Sequence, residues 1–176
     1  IFLTNTDEFI TTYQTHYNSQ LVYGGEQNLG MYSFDDIRYF FKYPIKKTRY
    51  KYLNSGTIMG TINKGLELFN NIGLNAANKS DQMDSIRYFT KHPNALTIDT
   101  NHFLFAVNGG RAGLESIDYT IKNNRLFSNP TQTWPALFHV PGKFFIGLDA
   151  IAHELGFMQS IPTYSANETK RFKTTQ

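Results

Sequence analysis

The chain has 176 residues, 40% of them hydrophobic and 18% charged, which fits a single buried core, since domains usually run to roughly 100–200 residues. Seventeen basic against fourteen acidic side chains give a net charge of +3, too small an excess to call for nucleic acid as a partner. The absence of cysteine excludes disulfides, thiolate nucleophiles and Cys-ligated zinc, and no run approaches the roughly 18 apolar residues of a membrane-crossing helix.

In chain order, residues 1–3 read as the end of a strand. Thr6 is placed to cap a helix whose first turn carries Asp7 and Glu8, acids that complement the positive helix end. A short strand at Leu21-Val22-Tyr23 is closed by Gly24-Gly25-Glu26, and 27–51 is expected as loop with short helical pieces. Within it, Lys46, Lys47, Arg49 and Lys51 lie among Tyr43, Tyr50 and Tyr52. That mixture has the composition of a stacking-and-phosphate surface but reads better as a solvated loop. Residues 52–60 form a strand around Asn54-Ser55-Gly56, and Ile62, Leu66, Phe69 and Ile72 then recur at helical spacing up to Gly73.

Ser80 opens a second helical pattern through Met83, Ile86 and Phe89, which stops before Pro93. Strands are predicted at 96–99, 103–107, 116–121 and 136–140, and an amphipathic helix at 149–158. This alternation predicts an α/β sheet domain over 1–165 with a polar tail at 166–176. Asn78-Lys79-Ser80 and Asn167-Glu168-Thr169 fit the glycosylation sequon, which matters only in a secretory lumen.

Two constellations fail on their own chemistry. His153-Glu154-Leu155-Gly156 starts like the zinc protease signature His-Glu-x-x-His, but residue 157 is Phe, so the second imidazole of the metal pair is absent. Gly109-Gly110-Arg111-Ala112-Gly113 lacks the Lys-Ser/Thr ending of a phosphate loop and reads as a turn.

A set of segments occurs in one order: Val22-Tyr23-Gly24-Gly25-Glu26, Tyr43-Pro44, Tyr52-Leu53-Asn54-Ser55-Gly56 with Gly60, Asp81-Gln82, Ile98-Asp99 and Pro135-Ala136-Leu137-Phe138-His139. Together, over about residues 1–150, they resemble the glycosyltransferase module of procollagen lysyl hydroxylases. More distantly they are similar to collagen galactosyltransferases and glycogenin-like enzymes. The sequence departs from that family's pattern at Pro141, where Asn is usual between His and Gly, and its Lys stands closer to the His.

The resemblance implies a GT-A fold, a mixed sheet flanked by helices, and a metal-dependent transfer of glucose or galactose from a UDP-sugar. The acceptor hydroxyl would belong to hydroxylysine or galactosyl-hydroxylysine of a collagen-like chain. A diphosphate leaving group needs its charge neutralised, which such enzymes achieve with a divalent cation, usually Mn²⁺, and with positive donors. His139 is the implied metal ligand, with Gly142 and Lys143 beside it for the diphosphate. Asn54, Ser55 and Gly56 are implied to meet sugar hydroxyls, Asp81 and Gln82 the acceptor or donor hydroxyls, and Asp99 is a further binding candidate.

Each has a plain structural reading too. His139 reads equally as a core imidazole satisfied by its neighbours, 54–56 as an ordinary glycine turn, Asp81 as a helix-capping acid, and Glu26 as a strand-end carboxylate. In the family an acidic metal-binding pair precedes the position of Ile1. The chain is therefore expected to be the later part of such a domain, one that holds UDP-sugar poorly alone. The alternative function is a catalytically inactive GT-A-like protein that binds carbohydrate or serves a structural or interaction role. Neither reading calls for nucleic acid or a membrane segment.

Overall fold

The alternating pattern is realised as a mixed α/β fold with small sheets flanked by helices. The computed structural model describes residues 1–29, 37–45, 47–72, 80–108, 118–141 and 145–159. In order these form α1 (Thr6–Tyr17), β1 (Val22–Glu26), α2 (Ile37–Lys42), β2 (Tyr52–Met59), α3 (Ile62–Ile72), α4 (Asp81–Lys91), β3 (Thr97–Asp99), β4 (Phe105–Val107), β5 (Tyr119–Lys122), β6 (Arg125–Ser128), β7 (Leu137–His139) and α5 (Phe145–Glu154). Strand β1 is the middle of a three-stranded sheet, antiparallel to β2 and parallel to β3. Strands β4 and β7 pair in parallel, while β5 and β6 make an antiparallel hairpin.

Both faces of β1 are covered, which explains why it is buried along its whole length instead of alternating. Tyr23 packs with Leu53, Met83, Ile86 and Phe89 on the α4 side. Val22 packs with Tyr13 and Tyr17 of α1 and with Leu104, Phe105 and Val107 on the other. A third cluster, Ala106, Leu126, Phe138, Val140 and Ile151, ties β4, β6, β7 and α5 together. Residues 1–3 lie extended against β7: Leu3 N donates to Ala136 O and Phe138 N to Ile1 O, both at 2.8 Å.

Several boundaries differ from the sequence expectation, each for a local reason. The cap of α1 is Asn5, one residue before Thr6, its side chain accepting from Glu8 N at 2.8 Å. Strand β1 runs on through Gly24 and Gly25 instead of closing there. A Cβ on Gly24 would stand 2.2 Å from Thr57 Oγ1 and 2.6 Å from Val107 Cγ2, so this glycine records close packing and not a turn. The strand expected at 116–121 belongs to a hairpin whose second strand, β6, went unforeseen; its turn places Asn123 and Asn124 at φ 53° and 55°, a conformation Asn tolerates. Helix α5 begins four residues early and ends before Gly156, whose φ of 77° stops it. In α3 the periodic residues Ile62 and Leu66 are exposed while Leu68 is buried: period reveals an apolar face, not which side a partner covers. The glycine-rich segment at 109–113 and the expected tail at 166–176 lie outside the described residues.

Buried Asp99, at the end of β3, ties that strand to α1 and to the start of β4. Its Oδ1 accepts from Tyr17 Oη and from Phe103 N at 3.0 Å, and its Oδ2 from Leu104 N and Phe105 N, both at 2.7 Å. One side chain thus satisfies consecutive amides leading into β4 and a phenol of α1, groups whose burial without partners is costly. Asp99→Ala should lower the unfolding free energy in urea by about 3 kcal/mol or more. A loss under about 1 kcal/mol would show that these donors find other partners.

Candidate functional site

The site is built on an irregularity in the β1–β2 ladder. Tyr23 pairs with Ile58, yet the next residue, Gly24, pairs with Asn54, so Ser55, Gly56 and Thr57 are pushed out of register as a bulge. Two of the freed amides are taken by side chains: Gly56 N donates to Asn54 Oδ1 at 2.9 Å and Ser55 N to Gln82 Oε1 at 3.3 Å. Gln82 is in reach because Ser80 caps α4, its hydroxyl accepting from Met83 N at 3.3 Å, which starts the helix one residue before it. The other end of the Gln82 amide donates to Glu26 Oε1 at 3.0 Å.

From the opposite sheet, the end of β7 delivers His139 onto the same bulge. A Cβ on Gly56 would lie 2.2 Å from His139 Nε2, 2.7 Å from its Cε1 and 3.0 Å from Asn54 Oδ1. The imidazole therefore sits directly on the glycine, and only the missing side chain admits it. Glu26, Asn54, Ser55, Gly56, Gln82 and His139 converge from β1, β2, α4 and β7.

Their electrostatics differ from those of a surface cluster. Glu26 is buried, and desolvation pushes its carboxyl up to about 7 even though the Asn54 and Gln82 amides favour the charged form. Amides offer dipoles but no countercharge, so burial wins. At neutral pH the group stands between its two states, as a general base should. Burial holds the His139 imidazole below its usual value, which favours the neutral form that can donate a lone pair to a metal.

The remaining candidates are placed differently. Asp81 is exposed in the first turn of α4, next to Gln82 but outside the hydrogen-bonded cluster. Asp99 is not brought to it either, since both of its oxygens are occupied by the contacts described above. Gly142 and Lys143 lie outside the described residues. No group of three His, Asp or Glu side chains able to hold a metal is found among the described residues, so His139 stands there as a single donor. Glu26 was underrated in the sequence; the available signal was a carboxylate ending a strand that the bulged Asn-Ser-Gly strand would pair with.

Compared with known families, the chain matches the model described as the PLOD GT domain over residues 1–157, and it belongs to that family, a glycosyltransferase module of lysyl hydroxylase type. A comparison with curated proteins returns no match.

The raised carboxyl of Glu26 has a consequence for stability. The fold prefers the protonated form, so its favourable contribution is complete below the ordinary pKa of 4.5 and is lost as pH rises to about 7. Glu26→Gln, which cannot ionise, should exceed the unsubstituted chain in stability at pH 8 by up to roughly 3 kcal/mol. That gap should close by pH 4.5. Urea titrations giving the same difference at both pH values would contradict the assignment.

Proposed function

With that family membership as premise, we propose that the cluster transfers a hexose, glucose or galactose, from a UDP-sugar to an acceptor hydroxyl. The acceptor is hydroxylysine or galactosyl-hydroxylysine of a collagen-like chain. The observation that carries this reading is the convergence of Glu26, Asn54, Gln82 and His139 on the bulge at Gly56.

Short amide and hydroxyl groups read sugar hydroxyls because each offers both donor and acceptor atoms. Ser55 therefore reads a sugar hydroxyl from the bulge, which Asn54 and Gln82 hold in place through the Gly56 and Ser55 amides and Glu26, and Asp81, exposed beside Gln82, meets an acceptor or donor hydroxyl. As the acceptor oxygen bonds to the anomeric carbon and the nucleoside diphosphate departs, the hydroxyl proton passes to the Glu26 carboxylate, whose pKa near 7 suits that exchange. His139 Nε2 is the proposed ligand of Mn²⁺, which when bound would neutralise the leaving diphosphate, with further ligands from beyond the described residues. Gly142 and Lys143 follow β7 closely in sequence and are proposed to meet the same diphosphate.

The test measures UDP release and glycosylated product from UDP-glucose and UDP-galactose with Mn²⁺ and a hydroxylysine peptide. His139→Ala should lower turnover by about 100-fold or more. Gly56→Ala should act similarly with folding retained, because its methyl displaces the imidazole. Undiminished turnover in both variants would remove the cluster from the reaction, and donor binding without turnover in the unsubstituted protein would favour an inactive carbohydrate-binding relative.

A further inference from the structure

Helices α2 and α4 enclose a cleft of about 480 Å³ lined by Arg38, Tyr39, Lys42, Thr90 and Lys91. Among the described residues no acidic side chain lines it, and Arg38, Lys42 and Lys91 are exposed. Among the described residues none of these three cations is paired with a carboxylate. Cations gathered around a concavity without countercharge repel one another, and that repulsion is relieved by an anionic occupant.

The aromatic ring narrows the class of that occupant. Tyr39 has the Arg38 guanidinium 5.0 Å and the Arg87 guanidinium 5.8 Å from its centroid, so cations already cover the ring. A single-stranded nucleic acid, which needs open aromatic faces for its bases, is thereby disfavoured. A peptide bearing carboxylates needs only the cations, and bidentate pairing suits it to arginine.

The position of the cleft relates it to the proposed site. Gln82 stands in the first turn of α4 and Lys91 ends it, a separation of about 14 Å at 1.5 Å per residue. An extended peptide covers that distance in about four residues. We propose that this cleft is an exosite for an acidic segment of the acceptor polypeptide, engaging Asp or Glu side chains about four residues from the modified hydroxyl. Its identity as an acceptor subsite rests on the transferase reading, but its preference for an acidic peptide does not.

Fluorescence anisotropy with a labelled hexaglutamate peptide, at low and at physiological salt, separates the two. The chain should bind the peptide, more weakly as salt rises. Lys42→Glu/Lys91→Glu should weaken binding at least 10-fold, whereas Lys64→Glu, on α3, should leave it unchanged. Equal binding by the double variant and the unsubstituted chain, or no binding at low salt, would overturn the exosite and leave the transferase reading intact. Tighter capture of oligothymidylate of equal charge through the same lysines would also overturn it. In turnover assays the double variant should raise KM for a peptide with Glu four residues from hydroxylysine and spare a neutral peptide; equal effects on both would contradict the acceptor role.

Discussion

A carboxylate buried against amides, Glu26, is the constraint on which the site depends. Gln82 reaches it from the first turn of α4 and Asn54 from β2, and the same two side chains also hold the amides of Ser55 and Gly56. Removing any member leaves a buried donor or acceptor unmatched, so the strand bulge, the helix start and the carboxylate form one unit. Because its partners bring no positive charge, the carboxyl remains poised near neutrality, able to exchange a proton there.

Asp99 shows the opposite use of a buried acid in the same sheet. Asp99 and Asn54 both stand opposite Gly24, on the two sides of β1, but the Asp99 carboxylate accepts from three backbone amides and a phenol and fixes the path from β3 into β4. That path sets the register of β4 with β7, where Val107 lies beside His139. The position of the imidazole over Gly56 thus traces back to an acid that takes no part in the cluster. Burial raises both carboxyls; the two acids differ in what their oxygens accept from, backbone amides and a phenol at Asp99 and side-chain amides at Glu26.

The sequence was legible where the signal was local. The start of α4 at Ser80, the strands containing Tyr23, Leu53 and Ile98, and the association of residues 54–56 with Gln82 and His139 followed from residue type, period and family-like order, while the cap itself is the Ser80 hydroxyl and not Asp81. What escaped depended on pairing between distant residues. The bulge cannot be seen from β2 alone, because three residues leave the ladder only relative to β1. Asp99 resembled a binding residue because a strand-end acid looks the same whether a ligand or a following loop takes its oxygens. Glu26 looked ordinary because its raised pKa arises from desolvation, a property of the folded neighbours. Hairpin β5–β6 was missed since Asn123-Asn124 lacks the glycine that usually marks such a turn.

The claim at the centre of this account is that donor chemistry occurs over the bulge at Gly56. Manganese is paramagnetic and broadens nuclear resonances near it, so titrating Mn²⁺ with UDP into isotopically labelled protein locates the cation directly. The His139 ring and the Ser55 and Gly56 amides should broaden first, with the α2–α4 cleft unaffected. Broadening centred elsewhere, with the resonances of residues 54–56 and 139 unchanged, would contradict it.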